Sequence, residues 1–510
     1  MKKDTPGILD KVISFVSPEW GLQRRYYKER LEFSYDAARD IPAHKTIATS
    51  HATAASESFQ NQRDRIKMMW EARNLVQNYS FFKSILLKEA MYVCGSMRYQ
   101  AQTGDPAINQ AYEEYWRDWE KRCDITRRYP FRHLVQLAHM GMRRDGDAAF
   151  VLVTQGADVR LQAIEADRIG NPSEFNRPVK EENYIGGITI NDYGQPLSYK
   201  VFKRTLHGQY KDPRDIPASN FIHYIDPMRV DQYRGITAFE TAIPHAKDVY
   251  ELYKMEKMAV KWGSSHAGVI TKNDHGPDKW SSKIPGVMDD RKMEKIDPGK
   301  IVRLQPGDDI RMFQTQSRPS PTFNGFVTTL IREMANGLNL PFAFVWDMSA
   351  FGGATARLEV QQAQRAFKRH QDLLSEQVLD PIKNIVISRA IALGNLPASP
   401  NYKKGKWQFN SQITADLGHE VQATIGMLDA GLKTHDAAYG EMGLDFEEES
   451  EKIARELQHL QALAEKYEIP MSLITKRLQS AHEMIDAYKH SLKNPNAGAP
   501  IEPNSNAGNK

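Results

Sequence analysis

The sequence predicts an α+β protein in which helices and strands are segregated along the chain rather than alternating. Three observations predict it. Apolar residues recur at helical spacing from about residue 63 to residue 146. Five short runs rich in β-branched and aromatic residues then crowd between 148 and 225. Beyond them, three long helical patterns are separated by a Gly- and Pro-rich insertion and by a short loop.

Residues 1–60 are polar and irregular, which reads as an extended arm. From Arg63, "QRDRIKMMWEARNLVQNYSFFKSILLKEAMYVCG" places Ile66, Trp70, Leu75, Tyr79, Phe82, Ile85 and Leu86 near one helical face. A second helix follows in "AINQAYEEYWRDWEKRCDI", with Ala111, Tyr115 and Trp119 four apart. A third, "PFRHLVQLAHMGMRRDG", ends at a glycine turn. The strands expected next are "AAFVLVTQ", "VRLQAIEA", "YIGGITIN", "LSYKVFKR" and "SNFIHYID", punctuated by turn residues such as "NDYG" at 191–194.

A long helix is expected over 235–266, with Pro244 near its start. Ala246, Val249 and Tyr253 share a face there with Tyr250, while Lys254, Lys257 and Lys261 lie along another. Residues 267–320 turn to Gly, Pro and charge, with strands expected in "GKIVRLQ" and "DIRMFQT". In the next helix Phe326, Leu330, Met334 and Leu338 repeat every four residues, and Gly337 and Pro341 are a sensible stop. The loop "WDMSAFGGAT" precedes a helix from about Thr355 to Leu393, whose face is Val360, Ala363, Phe367, Leu374, Val378, Ile382 and Ile385. Pro381 should kink or interrupt it. The remainder is helical and acidic, and "NPNAGAPIEPNSNAGNK" has the composition of disordered chain.

Composition excludes several classes. A length of 510 residues suits three or four domains, and 41% hydrophobic with 26% charged residues is ordinary for a soluble globular protein. The net charge of +4 is small for a dedicated DNA-binding protein, so nucleic-acid contact is expected to be local. Cys94 and Cys123 are too few for a disulfide framework or zinc cluster and read as buried or half-buried free thiols. No signal-peptide pattern and no apolar run of about 18 residues stands in the sequence, so a soluble protein made inside the cell is expected.

Catalytic motifs fare poorly. "SAFGGATARLE" has the glycines of a phosphate loop without the Lys-Ser/Thr pair that contacts phosphate and magnesium. His133 and His139 lack metal-ligand spacing. Asp145 and Asp147 in "RRDGDAAF" fit an aspartate-capped turn, with a shared cation as the other reading. No Gly-x-Ser-x-Gly elbow occurs. Neither an enzyme nor a cofactor or metal is expected.

Three ordered segments carry a resemblance. "DIPASNFIHYIDPMRVDQYRGITAFETAI" (215–243), "PTFNGFVTTLIREMANGLNLPFAFVWDMSAFGGATARLEVQQAQRAFKRHQDLL" (321–374) and "EVQATIGMLDAGLKTHDAAYGEMGLDFEEESEKIARE" (420–456) resemble the lambda-type portal family of tailed bacteriophages. The similarity runs from about residue 20 to 465. It implies a portal fold of wing, long-helix stem, small α/β clip and mostly helical crown, assembling as a ring of twelve subunits around a central channel. Double-stranded DNA would be packaged and ejected through it at one capsid vertex. The implied partners are further copies of the chain, DNA, the terminase, head-completion and tail connector proteins, and the major capsid or scaffold protein, with no membrane. The implied location is the virion, reached from the host cytoplasm.

On that resemblance residues 1–60 are an N-terminal arm and 61–235 the wing, and 236–266 are the first stem helix. The clip would be 267–320, the second stem helix 321–341 and the tunnel loop 342–356. Residues 357–415 would be a long helix returning to the wing, 416–485 the crown and 486–510 the tail. The loop residues differ from the commoner lambda-type form, so its location is carried over rather than any single contact.

Candidate channel residues are Trp346, Asp347, Met348, Ser349, Ala350, Phe351, Gly352, Gly353, Ala354 and Thr355. Gly352 and Gly353 relax the backbone, and Ala350 and Ala354 keep the profile small. Phe351 would touch passing DNA or anchor the loop, and Trp346 reads better as an anchor. Lys254, Lys257 and Lys261 are candidate DNA-facing cations, with a solvated or inter-subunit salt-bridging face as the other reading. Glu447–Glu449 would interact between subunits or solvate a helix start. Two other functions stay open: another virion connector ring, or a DNA-packaging enzyme such as a terminase.

Overall fold

The computed structural model describes residues 62–95, 97–156, 158–170, 183–265, 269–272, 308–311, 320–346, 353–409, 417–442, 444 and 446–466. The expected arm, most of the 267–320 insertion, the loop residues 347–352 and the tail lie outside the described residues. The chain forms two compact units, Met1–Ala415 and Asp416–Lys510.

The first unit opens with α1 (Gln62–Asn78) and α2 (Ser80–Val93). The sequence pattern suggests one continuous helix, but Tyr79 is extended (φ −121°, ψ 118°) and breaks it. The break resets the phase of the apolar face. Ile66, Leu75, Phe82, Ile85 and Leu86 are buried, whereas Trp70 is 50% exposed. In α3 (Pro106–Arg122) the buried face is Tyr112, Trp116 and Trp119 rather than the Ala111–Tyr115–Trp119 row. The larger rings win the interior because each buries more apolar area. Trp116 stacks edge-on against Phe131 and Trp407, 5.2 and 5.5 Å between centroids. Helix α4 (Phe131–Asp145) then stops at Gly146, which has φ +95°.

Strands β2 (Asp147–Gln155), β3 (Asp158–Glu165) and β8 (Phe221–Ile225) form an antiparallel sheet in the order β3-β2-β8. Successive side chains of a strand face opposite ways. Ala148, Phe150 and Leu152 therefore enter the helical core, while Ala149 and Val151 enter a smaller core with Ile188, Tyr199 and Val201. Burial on both faces explains the unbroken apolar run "AAFVLV".

The second core is shared with a sheet of β4 (Tyr184–Ile185), β5 (Ile188–Ile190), β6 (Pro196–Arg204) and β7 (Tyr210–Pro217). Strand β7 was not expected from "YKDPRDIP". It is a largely exposed edge strand, where charge and Pro213 are tolerated because its outer side has no neighbour to bond. Equally unexpected is the pairing of β1 (Met97–Ala101) with β11 (Gly405–Phe409), since its halves are about 300 residues apart in sequence and only five residues long.

The long helices come next. Helix α5 is Ala242–Ser265, later than the expected start, because residues 236–241 form tight turns fixed to α4 by the Ala238 N–H on the Arg143 carbonyl, 2.9 Å. Strand β9 (Val269–Lys272) pairs with β10 (Asp308–Arg311), and α6 covers Pro321–Gly337. A short α7 (Phe342–Val345) leads through the loop to α8 (Gly353–Leu374). Pro381 does not interrupt the helical path. A wide π turn, Ser375–Leu379, carries α8 into α9 (Asp380–Ala392), absorbing the proline's missing N–H. Gln377, in that turn, accepts a hydrogen bond from the Ile225 N–H at the end of β8, 3.0 Å.

The second unit holds α10 (Leu417–Asp429), α11 (His435–Glu441) and α12 (Phe446–Lys466). Thr434 caps α11 by accepting from the Ala437 N–H, 3.2 Å. Glu449 pairs with Lys452 and Glu451 with Arg455 along α12.

Candidate channel hairpin and its anchor

Helices α5 and α6 lie side by side and run in opposite directions. Thr241, just before α5, packs against Gly337 at the end of α6, while Tyr253 meets Phe323 near the start of α6, 5.9 Å between rings. A Cβ on Gly337 would come 2.1 Å from Thr241 Oγ1, so the glycine permits the close approach.

The root of this hairpin is core. Ala242, Ile243, Ala246 and Val249 of α5 join Val327, Ile331, Met334 and Ala335 of α6 in the main hydrophobic cluster. Further out the burial stops. Tyr250, Met255 and Met258 are 49%, 64% and 60% exposed, and Phe326 is 55% exposed. Tyr250 and Phe326 therefore do not belong to the buried faces expected of them. On α6, Met334 and Leu338 are buried as expected, while the first two places of the row pass from Phe326 and Leu330 to Val327 and Ile331.

Lys254, Lys257 and Lys261 are all exposed, and none has an ion-pair partner among the described residues. At 100° per residue they fall within about 60° of arc on α5. Trp346 ends α7, half-exposed, with its ring 6.1 Å from Phe81. Phe344 beside it is buried, its carbonyl accepting from Lys88 Nζ at 3.1 Å. Trp346 thus stands at the loop's entry, beside Phe81. Asp347, Met348, Ser349, Ala350, Phe351 and Gly352 lie outside the described residues. Gly353, Ala354 and Thr355 open α8. The structure groups the three lysines and leaves Trp346 on a different element.

What the sequence reading missed is the clamp that holds the hairpin's root. Asp145 and Asp147 bind arginines rather than simply capping a turn. Arg234 donates from Nε and Nη2 to Asp147 Oδ2 at 2.9 and 2.7 Å, and the Gly235 N–H donates to Oδ1 at 2.7 Å. His223 Nε2 lies 3.1 Å from the same Oδ1, and Arg65 Nη1 is 3.4 Å from Oδ2. Arg234 also donates to the carbonyls of Ala166, Ile169 and Gly186. Burial alone would raise the Asp147 pKa, but Arg234, His223 and Arg65 outweigh it and hold the carboxyl well below its usual range. Burial lowers Arg65 to about 9, helped by its neighbour Arg234.

Two glycines make the clamp sterically feasible. A Cβ on Gly235 would stand 1.8 Å from the Gly146 carbonyl oxygen, and one on Gly146 would stand 2.5 Å from the Gly235 oxygen. Beside them Arg73 holds Asp145 in two hydrogen bonds, 3.0 and 2.8 Å, and reaches Asp167 at 3.1 Å. Asp167 also accepts from Arg204 at 2.8 Å and from the Tyr210 hydroxyl at 2.7 Å. Burial opposes ionisation of Asp167, yet Arg73, Tyr210 and Arg204 bring it down to about 2. The signal for all this was the pairing of "RDGD" with "YRG", two charged turns each carrying a glycine, which one-dimensional spacing could not connect.

A second buried group lies nearby. Glu89 is 2.8 Å from Arg143 Nε and 3.5 Å from His370 Nε2. Burial, with Arg143 and Arg369 nearby, drives His370 down to about 2, so it is neutral at ordinary pH. Cys94 and Cys123 are free and buried, as expected. Among the described residues no group of three or more His, Cys, Asp and Glu could hold a metal, and no helix is long and apolar enough to cross a membrane.

Residues 44–371 match the family model described as phage portal protein, lambda family. The chain is 21% identical over 385 residues to the portal protein of Escherichia phage N15, covering 67% of this chain and 71% of that one. It is 20% identical over 404 residues to portal protein B of Escherichia phage lambda, covering 70% and 74%. Among solved structures, a chain in the neck of an empty GTA particle covers 73% of this chain and 94% of its own, with TM-score 0.44 and 14% identity. One in the virion of a native gene transfer agent particle covers 75% and 93%, with TM-score 0.43 and 13% identity.

Proposed function

The chain belongs to the lambda family of phage portal proteins, and from that premise we propose that twelve copies form a ring whose α5–α6 hairpins line or flank the DNA channel. A portal is a structural head–tail connector of the virion and not an enzyme. The terminase and the packaging-enzyme alternative are therefore set aside, and ATP hydrolysis falls to a partner.

In this reading residues 236–266 and 321–341 are the stem and 267–320 the clip, which docks the terminase and later the head-completion and tail proteins. Residues 342–356 are the tunnel loop, and 416–485 contribute the crown. The observation that carries it is the hairpin's outer half. One chain leaves Met255, Met258 and Phe326 in solvent beside three exposed lysines. Apolar surface of that kind is covered in an oligomer, and a repeated lysine band gives DNA a weak, sequence-independent attraction.

Negative-stain microscopy with a solution mass tests the ring. Twelve copies of a 58.2 kDa chain give about 700 kDa. Rings of that mass with a central channel support the proposal, and a monomer at every salt and protein concentration sinks it. For the loop, replacing Gly352 and Gly353 with bulky residues should impair packaging or genome retention while rings still form. Normal packaging by that variant would remove the loop's assigned role.

A further inference from the structure

Away from the hairpin, a basic concavity of ≈ 440 Å³ lies at the end of α3. Lys121 and Arg122 come from the last turn of the helix, Arg127 and Arg128 from the turn after it, and Arg160 from β3. The first four are exposed and Arg160 is half-buried.

The nearby acids neutralise this surface only in part. Asp124 is buried and turned inward, accepting from the backbone N–H groups of Thr126, Arg128 and Tyr129 at 3.0, 3.0 and 3.2 Å. Its charge is taken up by the turn, which it also holds rigid. Asp158 is shared between Arg122 at 3.1 Å and Arg160 at 3.7 Å. Lys121 pairs with Asp118, but both side chains are about three-quarters exposed, so that pair is weak. Arg127 has no ion-pair partner among the described residues, and Arg128 donates to the Tyr129 hydroxyl at 2.6 Å. The Nε of Arg160 is buried with no hydrogen-bond partner among the described residues.

Four guanidinium groups and an ammonium thus converge on a rigid turn with positive charge to spare. Guanidinium forks match phosphate oxygens in geometry as well as charge. Tyr129 and Pro130 are the only lining side chains without a charge, so an inserted peptide would find few apolar anchors. The cations instead run from helix end through turn to strand, an arrangement suited to a polymer of regularly spaced anions. We infer that this surface is a second duplex-DNA contact, sequence-independent and separate from the stem lysines. It rests on the portal reading only for the identity of the polyanion.

The test uses assembled rings of the full chain and a short fluorescent duplex of random sequence, with affinity read by anisotropy across a salt series. R127E/R128E should weaken binding about tenfold at low salt and lower the slope of log affinity against log salt by about two, one for each phosphate left without its arginine. R127A/R128A should do the same in smaller measure, with ring mass unchanged in both. Unchanged affinity and slope in these rings would overturn the inference. If only the K254A/K257A/K261A ring loses duplex binding, the stem is the contact and the wing surface is not. Loss of ring assembly, or binding of polyglutamate but not duplex by the wild-type surface, would make it a protein interface instead.

Discussion

The clamp around Asp147 and the outer half of the α5–α6 hairpin use the same kinds of residue to opposite ends. In the clamp, Arg65 and Arg234 are buried against one carboxylate with His223 half-buried beside them, and Arg234 satisfies three backbone carbonyls as well. In the hairpin, Lys254, Lys257 and Lys261 stand in water. A buried ion pair adds little net stability over a hydrophobic substitute, but losing one partner strands a charge in low dielectric. The clamp therefore fixes the place where the chain turns from β8 towards α5. An exposed lysine can be lost at little cost to the fold.

That contrast can be broken at its strong end. Asp147→Ala removes the carboxylate that Arg234 and Arg65 share and should destabilise the chain by about 3–5 kcal/mol. Chemical denaturation of the purified variant measures it, and a loss under about 1 kcal/mol would mean that water reaches the site. Gly235→Ala comes next, because its Cβ would collide with the Gly146 carbonyl. A loss of about 3 kcal/mol is expected from displaced backbone, read as a fall in melting temperature together with exposure of the 232–240 segment to proteolysis.

Acid titration sharpens the same point more gently. Asp167 has its folded pKa lowered from 3.8 to about 2, so its contribution is complete above the unfolded value and is lost as pH falls from about 4 towards 2. Asp147 is shifted the same way. Melting temperature should drop through this window, and Asp167→Asn should flatten the drop. A wild-type curve that stays level to pH 2 would contradict the assigned ion pairs. The smallest stability effect belongs to the lysines. K254A/K257A/K261A should change unfolding free energy by no more than about 0.5 kcal/mol per site, while reducing the salt sensitivity of duplex binding by rings. A large destabilisation would place them in the fold rather than the channel.

Much of the secondary structure was legible because periodicity reports which face is buried. The run "AAFVLV" announced a strand, and the valine, alanine and phenylalanine stripe of α8 is buried as expected at Val360, Ala363 and Phe367. Errors arose where neighbours choose between adjacent stripes. Phe326 yields to Val327, and Tyr115 to Trp116, since a shift of one residue rotates a helix face by only 100°. Strand β7 escaped notice because an edge strand carries no apolar stripe to announce it.

By itself, the sequence determined most of the helices, the strands that carry an apolar stripe, and the segments that resemble a portal. These are local properties, written in spacing and residue type. Only the tertiary structure decided that Asp147 meets Arg234 across 87 residues, that Gly146 and Gly235 let two backbones touch, and that five cations from a helix, a turn and a strand share one surface. The physical reason is that burial and charge pairing depend on distance in space, which chain separation does not encode.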